Sequence, residues 1–270
     1  MHGSSAVGPD PAGAARARRS RRRDLALAVL AAVLYSNFLI DLAVPGPHEW
    51  AQQVSVLEIR GHRSATLLRT TDVCAALLVL AQLPAVRRAL RATGWEWAAD
   101  GRAAAGSAAD GRAPGRRARL LRALVVGGAV LFALGGILAA AVTLPAGPAA
   151  GADGLVAASG GLDPAGLRRA VHNGASILSV GGMVVSAGAA WLLLRRRPVG
   201  PAAHERPRWL GPVVALVAVG LVVELASDPV VALRPEWALL DGLAQRAQML
   251  TLSAWIVGLG ALAGRAPSPH

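Results

Sequence analysis

The sequence predicts an all-α fold, a six-helix transmembrane bundle, on three observations. Hydrophobic residues make up 54% of the 270-residue chain and charged residues only 16%, whereas soluble domains carry about 25% charged residues. The mean hydropathy is +0.45. Six apolar runs are each long enough to cross a bilayer as a helix, which takes about 20 residues. These runs are too long and too apolar for the strands of a membrane barrel.

Each predicted span follows from one apolar run. The first run follows an arginine-rich tail and stops at Pro45, and the third stops at Pro145. The fourth is preceded by Asp163-Pro-Ala-Gly-Leu, in which the proline suits the first position of a helix. The six spans, in chain order, are predicted at residues 24–44, 66–86, 121–144, 171–194, 209–227 and 247–264.

The segments around the spans are predicted to be tails and loops. Residues 1–23 are rich in Gly, Ser, Pro, Ala and Arg, which is typical of disorder. We therefore expect a disordered basic tail before a membrane domain at 24–264. Residues 89–119 contain the near-repeat Asp-Gly-Arg-Ala at 100 and 110, and we expect a flexible cytoplasmic loop there. Residues 265–270 are predicted to be a second cytoplasmic tail.

The distribution of arginine predicts the orientation, because cytoplasmic segments of membrane proteins carry an excess of positive residues. With the N-terminus inside, the cytoplasmic segments hold 21 of the 28 Arg and 6 of the 16 acids. The outer segments hold 7 Arg and 10 acids. Both termini are therefore predicted to be cytoplasmic. The net charge of +12 is then a topology signal that suits anionic membrane lipids, and we expect no nucleic-acid partner.

Residue counts exclude several kinds of chemistry. The chain has no Lys, so a lysine Schiff base and a P-loop lysine are impossible. Its single cysteine, Cys74, excludes an internal disulfide, a redox pair and a thiolate zinc site. Cys74 lies in an apolar run, where a free cysteine behaves as a small hydrophobic residue. Of six His only His172 lies at helix depth, so we expect no haem, no other cofactor and no metal site.

Polar residues in the spans concentrate at one end of the predicted bundle. Ionisable groups in membrane spans are costly and usually face a cavity or the bundle interior. Five clusters lie towards the predicted outer ends of helices, and the inner halves carry no comparable cluster. Their members predict an outward-facing polar pocket, with these ligand-binding candidates: Asp41, Arg69, Asp72, His172, Asn173, Glu224, Asp228, Asp241 and Arg246.

Arg246 is the expected anion-binding residue of this pocket. An arginine at the start of a span requires a carboxylate partner or a lipid phosphate, and Asp72 or Asp241 could orient it. His172 and Asn173 would add hydrogen bonds. The alternative is that all these residues are interfacial, satisfied by lipid headgroups and by one another, since charges near the ends of spans extend towards water.

Three stretches carry a resemblance to a known family. They are Val54-Ser-Val-Leu-Glu through Ala65-Thr-Leu-Leu-Arg-Thr-Thr-Asp72, then Val171-His-Asn-Gly-Ala-Ser176, and Gly242-Leu-Ala-Gln-Arg-Ala-Gln-Met-Leu with Trp255 beyond it. Over residues 24–264 the chain resembles a bacterial six-span membrane family, the domain of unknown function 998 type, which is distantly similar to DRAM/FRAG-like membrane proteins. The resemblance implies a bacterial plasma membrane and polar residues at Asp72, His172 and Arg246. It implies no reaction.

Three functions remain open at this point. The leading hypothesis is a non-enzymatic protein that binds a lipid or small amphiphile in the outer pocket, for binding, transport or assembly. The second is an enzyme acting on lipid or envelope precursors, with His172 as general base assisted by Asp72, Glu224 or Asp228. That mechanism requires a hydrogen bond between His172 and a carboxylate. The third is a structural partner of another membrane protein, which predicts a packed face of small residues instead of a pocket.

Overall fold

A computed structural model describes residues 11–39, 54, 64–92, 114–143, 164–195 and 207–265. This part of the chain contains six α-helices and no strand, which confirms the predicted all-α six-helix fold. A short 3₁₀ helix at Pro235–Trp237 joins the last two. The helices are α1 Pro11–Tyr35, α2 Ala65–Ala92, α3 Pro114–Ala141, α4 Pro164–Leu194, α5 Leu210–Leu233 and α6 Ala238–Ala263.

Several helices extend beyond the predicted spans, but α1 ends at Tyr35, inside the span predicted at 24–44, and a turn and a 3₁₀ segment follow to residue 39. Helix α1 begins at Pro11, so residues 11–23 are helical where the sequence predicts a disordered tail. The physical reason is that Ala and Arg favour helix, and proline is well suited to a first helical position. The two ends of the loop predicted at 89–119 are helical as well. Residues 89–92 belong to α2, and residues 114–119 belong to α3. Helix α4 begins at Pro164, as its proline predicts.

Five of the helices, α2 to α6, are long and apolar enough to cross a membrane. Helix α1 falls short in the described residues because its first half is rich in arginine and its apolar part covers only residues 25–35. Large apolar side chains on the outside of the bundle are widely exposed, including Val222 and Leu225 on α5. A bilayer would cover such a surface. The chain is a multi-pass membrane protein.

Contacts between helices establish an antiparallel arrangement. Ser36 at the end of α1 meets Ser253 of α6, whereas Ala28, earlier in α1, meets Gly260, later in α6. Helices α3 and α4 are paired in the same way, and so are α5 and α6. Helix α6 contacts α1, α2, α4 and α5 and is the most buried of the five long apolar helices. It therefore forms the centre of the bundle.

The α3–α4 contact is built from small residues and is the most extensive of the bundle. A Cβ atom added at Gly128 would lie 2.3 Å from the Gly182 carbonyl oxygen, and one added at Gly135 would lie 2.6 Å from that of Ala175. Only residues without large side chains permit backbones this close, as is typical of helix pairs in membranes. We call this contact the small-residue seam.

The two ends of the bundle differ in charge. The polar end holds the C-termini of α1, α3 and α5 and the N-termini of α2, α4 and α6. The basic end, opposite, carries sixteen arginines in the described residues, and its single described carboxylate is Asp24. Asp24 is buried and accepts a hydrogen bond from Arg23 Nη2 at 3.3 Å. The two ends of the folded bundle therefore differ in charge as the sequence predicts for the segments on the two sides of the membrane.

Candidate functional site

At the polar end, α1 and α2 are joined by the buried side chain of Asn37. Its Nδ2 donates to the backbone carbonyl of Leu68 at 3.0 Å and to Asp72 Oδ1 at 2.9 Å, and it also contacts the Thr71 hydroxyl. Asn37 lies just after α1, where the chain turns into a short 3₁₀ segment. Asp72 is thus tied to its neighbouring helix, and it remains half-buried.

Helices α3 and α4 are joined at the same end by His172. Its Nδ1 lies 3.1 Å from the carbonyl oxygens of both Ala139 and Val142. Because both neighbours are acceptors, Nδ1 carries a hydrogen and donates it. The carbonyls at the end of a helix lack partners within the helix, so His172 caps α3. Its side chain is 3% exposed, and Nε2 has no hydrogen-bond partner among the described residues.

The α5–α6 pair has a polar contact of its own. The Ser227 hydroxyl donates to Asp241 Oδ1 at 3.0 Å, across the short connection between these helices. Its oxygen also lies 2.8 Å from the backbone carbonyl oxygen of Glu224, one turn earlier on α5. Glu224 is half-buried and lies on the same face of α5 as Gly220 and Ser227. This face of α5 packs against α6. Asp241 therefore stabilises the turn between the two helices.

Helix α6 carries three polar residues within one turn at the polar end. Gln245 Oε1 accepts a hydrogen bond from the backbone N–H of Val54, which ties residue 54 to the bundle. Arg246 is 5% exposed, and its Nη1 donates to the carbonyl of Gly242 at 2.9 Å. Gln248 is buried as well. A buried arginine on the central helix is the least ordinary feature of this end of the molecule.

The remaining predicted site residues lie apart from these contacts. Arg69 donates through Nε to the carbonyl of Ala65 in its own helix at 3.1 Å. Asn173 is exposed on the outer side of α4. Asp41 lies outside the described residues, as does the side chain of Asp228. The predicted residues share one end of the bundle, and the contacts described above join α1 to α2, α3 to α4 and α5 to α6.

This distribution bears on the enzymatic alternative. That mechanism needs a hydrogen bond between His172 and a carboxylate, and the two acceptors at Nδ1 are both backbone carbonyls. No carboxylate of the described chain is hydrogen-bonded to Nε2. The same part of the chain contains no group of three or more His, Cys, Asp or Glu that could hold a metal ion. The pairing of Arg246 with Asp72 or Asp241 stays a prediction.

The residues that sequence reasoning missed are serines deeper in the bundle. Ser179 Oγ donates to the carbonyl of Phe132, and Ser186 Oγ to that of Val125, both across the small-residue seam. Trp255 of α6 donates through Nε1 to Ser186 Oγ at 3.2 Å. The available signal was spacing: Ala175, Ser179, Gly182 and Ser186 recur every three or four residues, which places small residues on one face of α4.

Comparison of the chain with protein-family models, with curated proteins and with solved structures found no match.

Proposed function

We propose that this multi-pass membrane protein binds the anionic headgroup of a lipid or small amphiphile at its polar end, with Arg246 as the residue that contacts the anion. The role is binding, transport or assembly at the outer side of a bacterial plasma membrane. The arginine bias of the sequence supports an orientation with the basic end in the cytoplasm. The resemblance to the domain of unknown function 998 type belongs to the same proposal.

The single observation that carries the proposal is the burial of Arg246 at the polar end. Helix α6 supplies a candidate span of 25 residues, about 37 Å of helix, against a hydrocarbon core of about 30 Å. Arg246 is the eighth residue of this span, about 10 Å from its start, and its long side chain can reach headgroup depth. A guanidinium is a planar fork of donors, which matches the geometry of phosphate and carboxylate groups.

A separate apolar cluster beside Arg246 supports an amphiphile rather than a small inorganic anion. Phe38, Val54 and Met249 pack together there, apart from the main core, with Tyr35 against them. Met249 follows Arg246 by three residues and lies on the same side of α6. The polar end therefore combines a buried cation with apolar side chains next to it. Such a pairing suits a charged headgroup attached to a hydrocarbon chain.

The test is native mass spectrometry of the protein released from its own membranes. Arg246→Ala is compared with wild type and with Arg234→Ala, which removes an exposed arginine whose Nη1 lies 3.6 Å from Glu236 Oε1 at the same end. We expect a defined adduct in wild type and Arg234→Ala that is lost from Arg246→Ala. Arg246→Lys keeps the charge without the planar fork and should retain the adduct only in part.

Two results would contradict the proposal. Retention of the adduct by correctly folded Arg246→Ala would remove Arg246 from the binding site. Absence of any defined adduct from wild type would favour the structural-partner alternative, and proteins that co-purify with the chain would then be identified. Circular dichroism of each variant shows whether it is folded, and Arg246→Lys supplies the comparison if the alanine variant is not.

A further inference from the structure

At the basic end, two arginines from different helices are held next to each other. The backbone of α6 ends against α1, where a Cβ atom added at Gly264 would lie 2.7 Å from Arg21 Cγ. The residue after Gly264 is Arg265, which is half-buried. Burial lowers the pKa of Arg265, and repulsion from Arg21 lowers that pKa further. The fold thus brings two positive groups together at the end of the α1–α6 contact.

These two arginines have no counter-charge in the described part of the protein. Neither side chain makes a hydrogen bond or ion pair to a described residue. The single described carboxylate of this end, Asp24, is buried and bonded to Arg23. Two adjacent guanidinium groups repel each other unless an anion lies between them. An anion with several oxygens, such as a phosphate group, can accept hydrogen bonds from both.

The position of the pair indicates where such an anion comes from. Arg265 is separated by Gly264 alone from the end of the 25-residue apolar span of α6, and Arg21 lies level with Gly264. Both therefore lie at headgroup depth if the span crosses the membrane. Leu25 and Val29 follow Arg21 at intervals of four residues on α1 and are 41% and 45% exposed. They form an apolar strip that runs from the arginine pair towards the membrane interior.

We propose that Arg21 and Arg265 form a binding site for the phosphate of an anionic phospholipid, whose acyl chain lies along Leu25 and Val29. This site is at the opposite end of the bundle from Arg246 and does not depend on the function proposed above. The basic charge of the whole end attracts anionic lipid in general. The arginine pair adds a defined location, because the α1–α6 contact places the Arg21 side chain against Gly264, the residue before Arg265.

The experiment measures phospholipid binding by the full chain in a neutral detergent at 0.15 M salt (roughly physiological ionic strength), which screens exposed charges. Phosphatidylglycerol is titrated against phosphatidylcholine, with native mass spectrometry counting retained lipid and thermal unfolding reporting stabilisation. The test variant is the double substitution Arg21→Gln with Arg265→Gln. The matched control is Arg116→Gln with Arg117→Gln, which removes the same charge from exposed residues of α3 at the same end.

We expect phosphatidylglycerol, but not phosphatidylcholine, to raise the unfolding midpoint and to remain as a defined adduct. The Arg21 and Arg265 double variant should weaken that adduct by about tenfold or more. The control pair should change it by less than about threefold. Adding Arg246→Ala to the double variant should reduce the retained lipid further than either change alone, because the two proposed sites lie at opposite ends of the bundle and would each hold a lipid.

Three results would overturn the proposal. Equal weakening by the two double variants would mean a diffuse attraction with no defined site. Equal stabilisation by both lipids would mean that the headgroup charge is not recognised. Equal stabilisation by soluble glycerol phosphate at the same concentration would mean that the ligand is a free phosphate compound. Unfolding midpoints of the variants in neutral lipid alone show whether the substitutions disturb folding, independently of binding.

Discussion

At the scale of single residues, Ser186 is the point where three helices are joined. Its hydroxyl donates to the Val125 carbonyl on α3 at 2.9 Å and accepts from Trp255 Nε1 on α6. Both Ser186 and Trp255 are fully buried. In a membrane the loss of such a bond is not compensated by water, although the measured value of one interhelical hydrogen bond averages only about 0.6 kcal/mol.

The substitution Ser186→Ala should therefore destabilise the bundle by about 1 kcal/mol, because two hydrogen bonds are lost and Trp255 Nε1 is left buried without its acceptor. The measurement is the free energy of unfolding in mixed micelles titrated with a denaturing detergent. The control is Ser176→Ala on the same helix, since Ser176 Oγ bonds only to the carbonyl of His172 in its own helix. An equal effect of both substitutions would contradict the assignment of Ser186 as a bridge between helices.

His172 shows what sequence reasoning can reach at this scale. The sequence marks His172 as the one histidine at helix depth, and its position at the polar end follows from the order of the spans. Its partners are backbone carbonyls of α3. A backbone carbonyl leaves no mark on the sequence, because every residue carries one. The sequence therefore points to the residue but not to its role as a helix cap.

At the scale of helices, the small-residue seam determines how closely α3 and α4 approach. Gly182 lies where an added Cβ would be 2.6 Å from the Gly128 carbonyl oxygen and 2.8 Å from the Phe132 backbone nitrogen. Backbone atoms cannot move aside as a flexible side chain can. The neighbouring Gly181 has no atom within 4 Å of its added Cβ and faces outward. Two adjacent glycines thus have opposite environments.

Gly182→Leu should separate α3 from α4 and break the hydrogen bonds of Ser179 and Ser186 across the seam. Overpacking a tight core site typically costs about 1–3 kcal/mol, and we expect a loss in the upper part of that range. Gly181→Leu adds the same side chain to the lipid-facing surface and should change stability little. The same detergent titration measures both variants. A larger effect of Gly181→Leu would mean that the seam is wrongly assigned.

The extent of each helix was only partly predictable. The hydropathy pattern locates the apolar centres of the spans, because lipid-facing and buried positions are both apolar. It does not report how far a helix continues into water. Residues 11–23 are helical because Ala and Arg have high helix propensity, and α6 begins at Ala238, nine residues before its predicted span. Helix and membrane span are different properties, and only the second follows from hydropathy.

At the scale of the whole molecule, the bundle separates charge between its two ends. The fold class was predictable because apolar length and arginine bias are properties of the chain read in order. Which helices the polar side chains join was not predictable. It depends on the arrangement of the helices around α6, which contacts α1, α2, α4 and α5. No pattern in a single helix specifies that order.

The orientation can be tested with single cysteines introduced into a Cys74→Ala background. Glu236→Cys lies in the exposed turn between α5 and α6 at the polar end, and Ser20→Cys lies among the exposed arginines of α1. In intact cells we expect a membrane-impermeant maleimide to label Glu236→Cys and to label Ser20→Cys only after permeabilisation. The reverse pattern would contradict a cytoplasmic basic end. The background without cysteine measures nonspecific labelling.

The central position of α6 has a consequence for biosynthesis. A ribosome completes this helix after the other five, and membrane helices associate once they have been inserted. The pairs α1–α2 and α3–α4 have their own contacts and can form as they are made. Helix α5 has its main contact with α6, and Trp255 fills its place beside Ser186 only when α6 arrives. Until then, the surfaces that α6 will later cover stay exposed to lipid and to the insertion machinery.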